Sequence, residues 1–493
     1  MQHQVRYFFP FNFSLSKKQE LENYYERLQS LSLQSLTQSI GREDLVSKPL
    51  PTNPIWTREK FNVDPRFNDH VGQILNGRDK NQETAFFGFN ALKISADARH
   101  IINGGSPGSP GKGLRCELSN AAKVRLAKKS IAAPYESEQW PVSIQDAWIL
   151  HINTGVGILL LDINYSEPDK SKKNQVETFE AIAELNYRLH RNRDNKQLAT
   201  LVWPESNCSV KGLRQIAHAL LPWLDEGLIS KFGNWQSIFT YTSIQCDESM
   251  DDEQIKQQCF RIARHYTDAY LPNSVRVEND YYQPFDNICH YHSLEGVASI
   301  IAAPPEQSTA LDNFLTTAIA RAYQPITAIA YSEYLFLQQM SQGANLSVDM
   351  RDPSDQDFEQ LRKYRTKLYN FRLNNRFSHL SGITQHNEFY NHLKDRLGIA
   401  ALLNDISTDV AEIESFIADH IAEKNQRSLG NIKLMGSMFA ALVLLADLSG
   451  ISIMDALFDN SIPPTAKIIF WSLVIGIPII FFGLSRWLKD KLD

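Results

Sequence analysis

The sequence predicts an α/β domain followed by a long helical stalk and two C-terminal transmembrane helices. Three observations carry that expectation. Strand-like and helix-like runs alternate up to residue 305, a proline-free stretch between Pro353 and Pro463 holds a heptad seam, and two long apolar segments close the chain. The 493 residues suit several domains, read here as 1–305 (α/β sensor), 306–431 (stalk) and 432–493 (two-helix membrane domain with a basic tail). Hydrophobic residues make up 43% and charged residues 22%, ordinary values for a chain that buries a core. With 50 Lys+Arg against 56 Asp+Glu the net charge is -6, so no global field favours nucleic acid and direct DNA or RNA binding is not expected. The five cysteines, at 116, 208, 246, 259 and 289, are scattered and contain no CxxC, which argues against a disulfide framework or zinc ribbon and suits a reducing compartment.

In the first region, Trp148–Ile152 and Ile158–Tyr165 are β-rich runs joined by the turn-forming Asn153–Gly157, which predicts a hairpin. Val176, Phe179, Ile182, Leu185 and Leu189 form a helical stripe. Thr200–Trp203 and Ser237–Ile244 read as strands and Gln254–Tyr270 as a helix. Gly104–Gly113, GGSPGSPGKG, reads as an exposed loop.

Chemical motifs in this region are weak. Gly111-Lys112 is followed by Gly113 rather than Ser or Thr, and two prolines remove amides that a phosphate cradle needs, so the loop is read as solvated. His290 and His292 with Cys289 place two ligands on one strand face without a third near in sequence, so packing is preferred over a metal site. His386 and Glu388 do not form HExxH, because the next histidine is His392. The acidic run Asp247–Glu253 lacks EF-hand spacing and reads as a helix start. Arg188, Arg191, Arg193, Arg261 and Arg264 are able to meet a phosphate, with a solvated helix face as the plainer reading. No catalytic motif is present, and a role other than enzyme is expected.

Two helical stretches, Leu311–Ser341 and Ser354–Phe377, precede the stalk. In the stalk itself Ile399, Leu403, Ile406, Val410, Ile413, Ile417 and His420 recur at 4-3 spacing, with Asp405, Asp409, Glu412, Glu414 and Asp419 between them. That is a heptad seam with a charged outer face. Apart from single glycines at 398, 430, 436 and 450, nothing interrupts a helix from Gln385 to Met454, about 105 Å at about 1.5 Å per residue.

Mean hydropathy is -0.32 over the chain, yet Leu434–Met454 holds one charge, Asp447, and Ile468–Leu484 holds none. Both lengths fall in the spanning range. Lys424, Arg427 and Lys433 precede the first segment, Arg486, Lys489 and Lys491 follow the second, and the loop between carries Asp455 and Asp459. The positive-inside rule then places both termini in the cytoplasm, with the protein a multi-pass component of the inner (cytoplasmic) membrane and the lipid bilayer a partner.

This order of an α/β domain, a long helix, two spans and a basic tail resembles the CorA family of divalent-cation channels. The likeness is best from Asp405 to Gly450 and in Arg486–Lys491. The resemblance implies a homopentamer whose first spans line a pore, with Mg2+ or another divalent cation as cargo. The family's Gly-Met-Asn is missing; the region reads Gly450-Ile451-Ser452 and then Phe458-Asp459-Asn460. In that departure the chain is similar to CorA-like membrane effectors of antiviral defence, some associated with type III CRISPR systems, which are gated by a small nucleotide messenger. In such a ring Lys433, Gly436, Ala440, Val443, Asp447 and Met454 share or adjoin one pore-lining face, and Asp455, Asp459 and Asn460 stand at the outer mouth. The functional expectation is a signal-gated membrane pore acting in defence. The alternatives are a Mg2+/Co2+ transporter and a membrane-anchored sensor or enzyme without a pore.

Overall fold

The structure, a computed structural model, describes residues 1–12, 18–46, 49–76, 91–117, 139–152, 154–167, 178–190, 199–206, 208–224, 238–246, 250–266, 278–302, 311, 313–344, 355–374, 377–448, 463–465, 467–468 and 472. The chain divides into two units, Met1–Leu346 with Tyr364–Thr408, and Ser347–Lys363 with Asp409–Asp493.

The first unit is organised by strand β1 (Gln2–Asn12). Its alternate residues Val5, Tyr7, Phe9 and Phe11 are buried on one face, and Arg6 and Phe8 are buried on the other. A strand without a wet face belongs at the centre of a sheet covered on both sides. β1 pairs antiparallel with β6 (Val156–Asn164) on one flank and with β9 (Phe239–Cys246) on the other. Every residue of β9 is buried. Twelve described strands make one mixed sheet. The remaining strands are β2 (Trp56–Arg58), β3 (Leu92–Ile94), β4 (Leu114–Glu117), β5 (Gln139–His151), β7 (Thr200–Val202), β8 (Ser209–Lys211), β10 (Tyr281–Phe285), β11 (Ile288–His292) and β12 (Gly296–Ala302). The order is β10-β11-β12-β9-β1-β6-β5-β4-β7-β8. Only the β9/β12 pair is parallel among the described pairings. The sheet forks at β5, whose first residues pair with β4 while Trp148 and Ile149 pair with β3, on either side of a register shift between Ile144 and Asp146.

One face of the sheet is covered by α1 (Lys18–Ser30), α2 (Leu33–Ile40), α3 (Glu43–Val46), α5 (Ala96–Ile102), α6 (Phe179–Leu189), α7 (Gly212–Leu220) and α8 (Asp252–Ala263), which share one apolar core with it. Helix α4 (Asp69–Asn76) lies between β2 and β3 in the chain. Ser32, Ser95, Thr178 and Asp251 each cap a helix in this set by accepting the amide N–H three residues on. The opposite face is covered by residues that follow β12. A π-helix, Leu315–Tyr323, runs into α9 (Gln324–Ala344), whose Tyr331 meets the rings of Phe8 and Phe239. Helix α11 (Thr384–Arg396) lays Phe389 against His290 and His292. Helix α10 (Asp355–Asn374) stands between them in the chain.

A polar row crosses the sheet beneath these later helices. His290 meets Ser299 at 2.6 Å and Ser299 meets Tyr241 at 2.7 Å. Tyr241 pairs in register with Arg6, which forms a buried two-pronged ion pair with Asp162. Asp162 is in turn opposite Asp146, and Asp146 meets Lys93 at 3.4 Å.

The CorA-like fold expectation is corrected on two grounds. The architecture centres on this large mixed sheet with its many buried pairings, and among the described residues no helix is long and apolar enough to cross a membrane. The uninterrupted stalk is also corrected. Helix α11 ends at Arg396, Gly398 adopts φ +67°, its N–H bonds the Asp395 carbonyl, and α12 (Ile399–Leu448) starts afresh. Of the first expected span α12 includes Leu434–Leu448, about 22 Å of rise at about 1.5 Å per residue, short of the roughly 30 Å hydrocarbon thickness. The rest of that span and most of Ile468–Leu484 lie outside the described residues. The assignments as a transmembrane ion channel for metal-ion transport and as a multi-pass inner-membrane protein rested on those spans and are overturned with them. Within the heptad seam Ile399, Leu403, Ile406, Val410 and Ile417 are buried.

Candidate functional site

Of the residues named for a pore, five are on α12. Lys433, Gly436 and Ala440 are exposed on α12 and Val443 is half-buried. Asp447 belongs to the last described turn of α12. Met454, Asp455, Asp459 and Asn460 lie outside the described residues, as do Arg191 and Arg193.

The glycine loop is exposed at Gly108–Pro110 and Lys112, as expected, while its two ends are anchored in the fold. The Asn103 side chain donates to the Ile144 carbonyl and accepts from the Ile144 N–H, and its backbone carbonyl accepts from Gly113. A Cβ on Gly111 would stand 2.1 Å from the Asn103 carbonyl oxygen, so backbone approaches there where only glycine fits. Arg42 is buried and donates to the carbonyls of Ile101 and Gly105 as well as to Asp44. Lys112 pairs with Glu205 at 2.7 Å beside a cavity of about 140 Å3. Arg42 thus anchors the start of this loop, and Lys112 is engaged in an exposed ion pair.

A second cavity, of about 310 Å3, is lined in part by residues that carry buried unsatisfied groups. It lies at the β10–β11–β12 end of the sheet, against the last turn of α11, entirely within the first unit. Arg264, Asp280, His292, Glu295, Asp395 and Arg396 line it. Arg396 donates from Nη1 to Asp280 at 2.8 Å, and Arg264 donates from Nη2 to Glu295 at 3.4 Å. In both guanidinium groups the Nε–H is buried and has no partner. Arg264 also lies over the rings of Tyr266 and Phe260, which fixes its plane. The second oxygen of Asp280 accepts from the Tyr291 hydroxyl at 2.9 Å. Asp395 is an exposed carboxylate.

Strand alternation in β11 sends Cys289 and Tyr291 into the main core and His290 and His292 to the opposite face. Folding then brings His392 of α11 against His292, Nδ1 to Nδ1 at 2.7 Å, and His392 Nε2 donates to the Asn279 carbonyl at 2.9 Å. Burial holds the His292 imidazole well below its usual range, reinforced by His392, His290 and Arg396, and burial likewise lowers His392. Burial pushes His290 down to about 3. The histidine pair expected from the strand is therefore on one face, and Cys289 is not with it. Among the described residues no group of three His, Cys, Asp or Glu side chains is placed to hold a metal ion. Of the arginines singled out in the sequence, Arg264 reaches the cavity. Arg396 and His392 were missed; a basic last turn followed by glycine at 398 is the sequence signal that marks this helix end.

The chain matches no protein-family model, and no match is found among curated proteins.

Proposed function

We propose that this protein is a signalling module whose first unit binds an anionic small molecule of nucleotide type in the cavity beside α11. The observation that carries the reading is the pair of buried, unpartnered Nε–H donors of Arg264 and Arg396, two of the residues that line the cavity. An unsatisfied buried donor on a charged group costs about 1–3 kcal/mol or more, and an acceptor oxygen in the cavity relieves it. The acidic residues do not cancel this demand. Asp280 and Glu295 are engaged with the same arginines through Nη atoms, and Asp395 is at the rim, where solvent screens it.

The cavity is placed to signal. Arg396 is the last residue of α11, and two residues, Leu397 and the left-handed Gly398, separate it from the start of the 50-residue helix α12. A ligand that draws Arg396 from Asp280 acts on the joint between two helices, and such joints absorb φ/ψ change. This reading keeps the nucleotide messenger of the sequence expectation and replaces the pore with a ligand-responsive helical junction.

Isothermal titration calorimetry with ribonucleoside mono- and triphosphates and with inorganic phosphate tests it. Binding to the wild-type chain is expected, with Arg264→Gln and Arg396→Gln each weakening it about tenfold or more. Equal binding by both variants, or no heat with any of these anions, defeats the proposal.

A further inference from the structure

The hydrogen-bond chain through the two histidines defines what else the ligand must carry. This step rests on the anion-binding reading above. A carbonyl only accepts, so the His392 proton is on Nε2, where it bonds Asn279. The neutral His392 ring then presents a lone pair at Nδ1. The 2.7 Å contact requires one proton between the two Nδ1 atoms, so His292 supplies it as Nδ1–H. His292 is left with a lone pair at Nε2, which is buried and has no partner. His290 Nε2 is also unpartnered, but His290 faces the rings of Phe389 and Tyr323 and does not line the cavity. His292 does line it.

We infer that the ligand donates an O–H or N–H to His292 Nε2 while its anionic oxygen accepts from Arg264 and Arg396. A bare anion without a proton to give, such as sulfate, satisfies only the arginines. A phosphate ester carrying a hydroxyl or amine near the phosphate, as a ribonucleotide does, satisfies all three atoms. His292 is thereby the specificity-determining residue of the cavity, and His392 with the Asn279 carbonyl is its positioning relay.

The test uses the full chain labelled with 15N-histidine. Long-range 1H–15N spectra of the free protein are expected to show His292 as the Nδ1–H form and His392 as the Nε2–H form. Adenosine 5′-monophosphate is expected to shift the His292 Nε2 resonance toward the hydrogen-bonded range, and sulfate, which has no donor, is expected to leave it in place. By calorimetry His392→Leu, which removes the acceptor that orients His292, weakens nucleotide binding about tenfold, whereas His392→Asn, which retains an acceptor oxygen, restores most of it. An Nε2–H form of His292 in the free protein overturns the relay whether or not any nucleotide binds. Nucleotide binding that depends on Arg264 and Arg396 yet leaves His292 Nε2 unmoved overturns this inference and spares the anion-binding reading. Absence of binding by every anion overturns both.

Discussion

Arg6 and Asp162 are the most buried ion pair in the sheet, with 5% and 6% of their side chains exposed. Their attraction in a low-dielectric interior offsets desolvation only while both partners are present. Asp162→Ala is therefore expected to cost about 3–5 kcal/mol in urea unfolding, because it strands a buried guanidinium. Replacing both residues by Met and Leu is expected to cost less than either single truncation; a double variant as unstable as the sum of the singles contradicts this view of the pair. The buried histidines predict a pH dependence. His3 and His290 are lowered to about 3 by burial, and His292 is lowered too, whereas an unfolded histidine titrates near 6.5. Between these values the unfolded chain binds more protons than the folded one, so stability is full above about 6.5 and falls as pH drops toward 3. The slope approaches about 1.4 kcal/mol per pH unit for each such histidine. Asp146 is raised by burial from 3.8 and titrates with the opposite sign, so an Asp146→Asn background separates the two. Urea midpoints at pH 7.5 and 5.5 check the direction, and equal midpoints in that background contradict it.

At the scale of elements, glycines distinguish where chain geometry is forced from where it is merely permitted. Gly398 has φ +67° with open space around its Cβ position, so Gly398→Ala incurs only backbone strain, about 1 kcal/mol. Gly157 pairs with Phe11 across β6 and β1, and a Cβ there would stand 2.2 Å from the ring. Gly157→Ala is expected to cost more than Gly398→Ala, about 1–3 kcal/mol, because an enclosed phenyl ring has to move. Gly430 and Gly436 in α12 have nothing within 4 Å of where a Cβ would stand, so alanine at either is expected to raise helix stability by about 1 kcal/mol. Thermal melts of the four variants give the ranking, and a stabilising Gly157→Ala would contradict the close packing of β1 on β6. Strands and helices with a clear period were readable in advance. The hairpin around Asn153–Gly157 corresponds to β5 and β6, and the stripe ending at Leu189 corresponds to α6. The break at Gly398 was not, since a lone glycine within a helical pattern has the same local appearance as Gly430, which α12 passes through unbroken.

For the whole molecule, ligand occupancy and stability are linked. A ligand that binds only the folded first unit adds about 2.7 kcal/mol at a concentration about one hundred times its dissociation constant. Adenosine 5′-monophosphate at about one hundred times its wild-type dissociation constant is thus expected to raise the melting temperature of the wild-type chain and to raise that of Arg396→Gln about half as much or less, since a tenfold weaker Kd leaves about 1.4 kcal/mol. An equal rise in both would place binding somewhere other than the α11 cavity. The same cavity explains why its residues were hard to find in the sequence. Arg264 ends α8, His292 ends β11 and Arg396 ends α11, and their sequence separations, 28 and 104 residues, carry no periodic signal.

By itself the sequence determined what depends on local chemistry: the β5–β6 hairpin, the apolar stripe of α6 through Ile182, Leu185 and Leu189, and the strand at β9. Each follows from neighbours a few residues apart. The tertiary structure alone decided the sheet order, the burial of the Arg6–Asp162 row, and the meeting of His292 with His392. Those features depend on which distant segments leave water together, and a one-dimensional pattern of apolar and polar residues holds no record of that choice.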